Sequence, residues 1–246
     1  MRETIDAKRA RARTMLRLLE KAYPEATIAL HFATPLELLV ATILAAQCTD
    51  ERVNLVTADL FRRYRSAQDY ARADPIAFER EIRSTGFYRA KTRSVIGMAR
   101  ALLERHGGEV PRRREALTAL PGVGLKTAHV VLGNAFGEPA IAVDTHVFRL
   151  SQRLGLARAA DPDRIHDQLV DVVPRSRWTR FCHLMQTHGR RTCTAQKPAC
   201  PVCPVRAQCP WPGKTRALSA GPTTGGGRRR LAARGRGQIG PNRREA

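Results

Sequence analysis

A lysine set just past a glycine-punctuated turn, in Leu120-Pro121-Gly122-Val123-Gly124-Leu125-Lys126-Thr127-Ala128, is the first candidate for chemistry in this chain. Gly122 and Gly124 allow backbone angles closed to other residues. The first amides of a following helix have no partner within it, so Gly122, Val123 and Gly124 are expected to hold a phosphate. An amine at the positive end of a helix would, where desolvated, spend more of its time neutral and nucleophilic, so Lys126 reads either as a candidate nucleophile or as an exposed lysine at an ordinary helix start. Asp144, in Ile141-Ala142-Val143-Asp144-Thr145-His146-Val147, follows an apolar stretch and opens a helix 18 residues later. A carboxylate there can cap the helix and still face the amine across a cleft. The pair suits substitution at a sugar carbon: the amine attacks while the carboxylate stabilises developing positive charge or takes protons. His146 and the other six histidines form no HExxH pattern and are expected to be structural.

A second cluster concerns metals. Cys193, Cys200, Cys203 and Cys209 are spaced C-x6-C-x2-C-x5-C, with Pro198, Pro201, Pro204 and Pro210 among them. In a reducing compartment four such thiols read as ligands rather than disulfides, for tetrahedral zinc or a cubane iron–sulfur cluster. A zinc ribbon usually carries two C-x2-C knuckles, which disfavours zinc at this spacing. Cys48 and Cys182 stand alone in apolar helical patterns and are expected to pack in the core.

These groups must be carried by helices. Helical spacing runs over residues 4–22, 36–46, 50–64 with Asp50 as its cap, and from Asp74-Pro75 onward. Gly86 interrupts; a basic amphipathic helix is expected from Phe87 to Arg105, closed by Gly107-Gly108. Helices at 115–120 and 124–136 flank the glycine turn, and others are expected at 144–154, 162–172 and 177–189. No period-two strand is convincing, so the fold is expected to be all-α.

Charge names the class of partner. The 246 residues carry 43 Lys and Arg against 22 Asp and Glu, a net +21, and residues 1–212 alone retain +13. Such a balance favours a polyanion. No apolar run approaches membrane-spanning length and no charged-then-apolar leader opens the chain, so a cytoplasmic nucleic-acid binder is the expected class. From Gly213 onward the composition turns to Gly, Arg, Pro, Thr and Ala, which predicts a disordered basic tail over 213–246.

Taken in order, Ala46-Gln47-Cys48-Thr49-Asp50, the 120–128 turn, Val143-Asp144-Thr145-His146 and His188-Gly189-Arg190 with the cysteine spacing resemble endonuclease III, over roughly residues 4–212. The resemblance implies a helix-hairpin-helix DNA glycosylase fold: a six-helix barrel domain over 28–138 with the hairpin near 114–136, and a second domain from 1–27 and 139–212 ending in a [4Fe-4S] cluster on the four cysteines. It implies a monomer that removes oxidised pyrimidines from duplex DNA by Lys126 attack at C1′, assisted by Asp144, and then breaks the strand 3′ to the abasic site by β-elimination. Gln47 is implied to fill the gap left by the flipped base and Phe87 to act as an apolar wedge, with a core aromatic as the other reading. Lys91, Arg190, Arg191 and Lys197 are expected on the DNA. The adenine glycosylase branch typically lacks the hairpin lysine and uses a carboxylate on the early buried helix. None stands in residues 38–49 here, and Lys126 is present. A catalytically silent DNA-binding module is the alternative from another class.

Overall fold

Side-chain caps punctuate the chain into helices in this computed structural model, which describes residues 3–216. Thr4 caps α1 (Ile5–Ala22), and Thr34 caps α2 (Pro35–Leu44), whose first residue is a proline with its fixed φ. Thr49 caps α3 (Asp50–Arg63) by accepting from the Arg52 amide; Asp50, expected to be the cap, is the first helical residue instead. Its carboxylate is thereby free for another partner. A Ser66–Asp69 capping box starts α4 (Ala67–Ala71), a five-residue helix too short to show a period in the sequence. Asp74 caps α5 (Pro75–Ile82), and a single 3₁₀ turn over Arg83–Thr85 leads to Gly86. The helix α6 (Tyr88–His106) starts one residue later than expected, because Phe87 is left-handed at φ 46°. It stops at Gly107 and Gly108, whose positive φ lets the Gly108 amide return to Leu102 O at 2.9 Å.

The remaining helices are α7 (Arg114–Thr118), α8 (Leu125–Ala135), α9 (Thr145–Arg153), α10 (Pro162–Val172) and α11 (Trp178–Arg191). Asp144 caps α9 and Asp161 caps α10. No strand occurs among the described residues, as the missing period-two pattern predicts. No helix among them is long and apolar enough to cross a membrane. The basic tail expected over 213–246 lies outside the described residues from 217 onward.

Two apolar cores divide the helices. The first is built from residues between Ile28 and Ala140, around Leu38, Leu39, Leu44, Phe78, Met98 and Leu117. Within it α6 packs on α4 and α5, and α2 on α8. Tyr64, Tyr70 and Phe78 close one end with a stack at 5.0 Å between the tyrosines and edge contacts to the phenylalanine. The second core joins Met15, Leu16 and Leu19 of α1 to Ile141, Leu150, Ile165, Phe181 and Met185. The chain therefore leaves α1, builds the first core and returns after Ala140 to complete the second. Cys182 packs there as expected. Cys48 packs on the first core, but from the bend after α2 rather than from within a helix.

Candidate active site at the seam of two cores

Asp144 and Lys126 reach one cavity from different cores. Lys126 stands in the first turn of α8 and Asp144 immediately before α9, and both line one solvent-open cavity. Asp144 is half-buried, and its Oδ1 accepts from the Val147 amide at 2.8 Å, so the carboxylate is oriented by its capping bond. Asp50 and Arg190 meet at the rim as an ion pair between α3 and α11. Deeper in the cavity, Cys182 and His183 are both shifted by burial. The thiol is pushed up to about 12 and the imidazole down to about 4, with Arg180 adding to the second effect. Both are neutral at pH 7. His183 Nε2 donates to Asn134 Oδ1 at 2.8 Å and ties α11 to α8 beneath the site.

The hairpin presents Lys126 by a steric device. Gly122 has φ +74°, and a Cβ there would lie 2.5 Å from the Ser94 Cβ of α6, so both conformation and space demand glycine. Val123 buries its side chain in the first core, anchoring the turn from below. Gly124 corrects the sequence reading: its φ of −88° is ordinary extended backbone, and a Cβ would meet nothing within 4 Å. What glycine gives at 124 is an uncovered backbone at the start of α8, where no side chain caps the first amides.

Two turns carry strained backbone. Gln47, exposed after α2, and Phe87, exposed before α6, are the two non-glycine residues with positive φ among those described. Phe87 leaves 64% of its surface exposed, which removes the core-aromatic reading.

The four-cysteine segment forms a separate pocket. Cys193, Cys200, Cys203 and Cys209 line it together with Arg153, Arg206, Trp211 and Lys214. Arg153 crosses it, donating to Cys193 Sγ at 3.4 Å, to Thr194 O at 2.7 Å and to Ala195 O at 2.6 Å, with its guanidinium 4.3 Å from the Trp211 ring centre. Among the described residues no three His, Cys, Asp or Glu side chains are arranged to hold a single metal ion.

Comparison with known proteins gives the family. A family model described as HhH-GPD superfamily base excision DNA repair protein matches residues 40–175. Endonuclease III of Synechocystis sp. is 50% identical over 205 residues, 83% of this chain and 94% of that protein. Endonuclease III of Escherichia coli K12 is 40% identical over 206 residues, 84% of this chain and 98% of that protein. The chain belongs to the endonuclease III family.

Solved structures agree with that membership. A non-covalent Endonuclease III–DNA complex superposes with a TM-score of 0.78 at 44% identity, covering 82% of this chain and 95% of that one. A trapped Endonuclease III–DNA covalent intermediate matches with the same figures.

For an endonuclease III chain, some expected contacts fall differently from the sequence reading. Lys91 is the clear correction: it is 4% exposed, and its ammonium donates to Leu44 O and Thr85 O, each at 2.7 Å, so it is not placed to meet a phosphate. A lysine near the start of a basic helix looks exposed in the sequence, and only the packing of α2 against α6 covers it. Arg190 pairs with Asp50, and Arg191 pairs with Glu25 and lies over the Tyr23 ring; Lys197 is exposed. Partly exposed pairs of this kind are screened by solvent and hold these side chains only weakly. Sequence reasoning missed Asp50 as a cavity residue, although it stood in the quoted Ala46–Asp50 motif. It also missed Arg153, which had only its i, i+4 spacing from Arg149 to mark it.

Proposed function

We propose that this endonuclease III family enzyme, a DNA N-glycosylase with abasic-site lyase activity, uses Lys126 as nucleophile and Asp144 as its charged partner on oxidised pyrimidines in duplex DNA. The observation that carries this reading is the shared cavity: an amine on a phosphate-binding hairpin and a capped carboxylate face one another's space from two separate cores. Residues 28–138 form the barrel domain and residues 1–27 with 139–212 the other, with the reaction at their seam. That arrangement accords with the two cores.

A stacked nucleotide keeps its C1′ out of reach, so the target must leave the helix, at a cost of a few kcal/mol that is smaller for a damaged base. Gln47 fills the vacated space and Phe87 wedges the opposite strand, supported by their exposure and by the strained backbone that holds them out. Gly122, Val123 and Gly124 hold a phosphate beside Lys126, and Arg190, Arg191 and Lys197 add contacts to the backbone.

The neutral amine of Lys126 attacks C1′ as the bond to the base breaks, and the base departs with the bonding electrons and takes a proton. The sugar ring opens to an imine between Lys126 and C1′. Loss of a C2′ proton then expels the 3′ phosphate by β-elimination, and water hydrolyses the imine to return the amine. Asp144, half-buried and fixed by its cap, stabilises the positive charge that develops on the sugar and on the attacking nitrogen. The enzyme acts as a monomer.

Cys193, Cys200, Cys203 and Cys209 suit a [4Fe-4S] cluster. They line one pocket with Arg153 and Lys214 at its wall, and their C-x6-C-x2-C-x5-C spacing lacks the paired C-x2-C knuckles of a zinc ribbon. When bound, the cluster supplies a rigid, cross-linked loop. Its pocket shares no residue with the cavity of Lys126, so the base-removal steps belong to the protein's own side chains.

Borohydride trapping on a duplex with one abasic site tests the reading. The native chain should form a covalent adduct that Lys126→Ala loses; no adduct from folded native protein would leave a DNA-binding module. The cluster is tested by colour and iron content, since an iron–sulfur protein is yellow-brown and a zinc protein is colourless.

A further inference from the structure

Two carbonyl ends converge on the buried side chain of Lys91. Leu44 is the last residue of α2, and its carbonyl has no amide to accept from as the chain bends toward Gln47. Thr85 ends the 3₁₀ turn, two residues before Phe87. The Lys91 ammonium donates to both carbonyls at 2.7 Å, and its own amide donates to Phe87 O at 3.1 Å. A cation at the negative end of α2 also opposes the helix dipole.

The two turns so joined carry Gln47 and Phe87 at φ 54° and 46°. A left-handed residue that is not glycine is strained and persists only where its surroundings over-determine it. Both side chains are exposed, so burial of the side chains does not hold these backbones. Gln47 lies three residues past one bonded carbonyl and Phe87 two residues past the other.

We infer that Lys91 is a positioning residue that fastens the Gln47 turn and the Phe87 turn to one another, so that the plug and the wedge enter the duplex at a fixed spacing. It touches neither DNA nor the reacting atoms. The inference rests on the reading of Gln47 and Phe87 given above. The ammonium is chosen over a neutral donor because one side chain must satisfy two buried carbonyls from the end of a flexible stem.

A double-mutant cycle tests it, read on two substrates: single-turnover excision of one oxidised thymine from a duplex, and imine trapping on a single-stranded abasic oligonucleotide, which needs no plug or wedge. Lys91→Met should slow duplex excision about tenfold or more and leave single-strand trapping within about twofold. Lys91→Arg, which keeps a cation with several donors, should recover most of the loss. In a Gln47→Ala/Phe87→Ala background, Lys91→Met should change excision by less than about twofold, because its effect passes through those residues. Should Lys91→Met not fold, Lys91→Gln, which reaches one carbonyl at most, takes its place in the same cycle. The inference is overturned if the Lys91 variant excises like the native chain, if both substrates suffer equally, or if the full loss recurs in the double-alanine background. If Gln47→Ala/Phe87→Ala itself excises at the native rate, the base-extrusion reading falls and the inference falls with it, a result distinct from the other three.

Discussion

Asp144 reaches the cavity of Lys126 through the same carboxylate that accepts the Val147 amide at 2.8 Å. In the proposed reaction one side chain thus serves as helix cap and as reaction partner, and the two duties separate on mutation. Asn and Asp cap about equally well, whereas Ala loses about 1 kcal/mol. Asp144→Asn should therefore keep its melting temperature within a few degrees of native while base excision falls about a hundredfold. Asp144→Ala should lose both. Thermal unfolding beside single-turnover excision checks this, and an Asn variant with native activity would assign Asp144 to capping alone.

Gly122 lies under two constraints at once, a φ of +74° and the Ser94 side chain 2.5 Å from where a Cβ would stand. Gly122→Ala should destabilise the chain by about 1–3 kcal/mol and weaken binding to abasic DNA, since the hairpin must shift to admit the methyl group. Ser94→Gly added to it should return only part of the stability, because the φ strain remains when the clash is gone. Complete recovery in the double variant would show that space alone requires the glycine.

Phe87 pairs an exposed side chain with a left-handed backbone. Phe87→Gly removes that strain and sacrifices little burial, while glycine adds freedom to the unfolded chain. The melting temperature should accordingly stay level or rise, and excision from duplex DNA should fall. A marked loss of stability would mean that the phenyl ring packs where it stands.

His183 supplies a pH dependence. Burial lowers its pKa from 6.5 to about 4, so the unfolded chain takes up the proton first. Stability from keeping this imidazole neutral is fully present above pH 6.5 and is lost as pH falls through that window toward 4. His183→Gln should lessen the acid-side loss of stability by about 2–3 kcal/mol, measured as denaturant midpoints from pH 7 to pH 4. An unchanged pH slope in the variant would show that His183 does not titrate on unfolding.

The features legible along the chain were local ones. Proline after Thr34, Asp74 and Asp161, the cap at Asp144 and the paired glycines at 107–108 mark helix ends through chemistry within four residues, and the helices end there or within a residue or two. The same locality made the hairpin and the cysteine spacing legible. Cap choice between neighbours escaped it: Thr49 and Asp50 can both cap, and the hydroxyl took the role while the carboxylate went to Arg190, 140 residues away. Only the tertiary structure decided such matters. Lys126 and Asp144 share a cavity because the chain returns after Ala140 to pack against α1, and no spacing encodes that return. Gly124 and Gly122 look alike in sequence, but Ser94 stands over only one of them. Lys91 reads as one more surface cation until α2 and the 3₁₀ turn bring two carbonyls to its ammonium. A side chain's partner depends on which elements meet over it, and that is set by burial of the two cores as a whole.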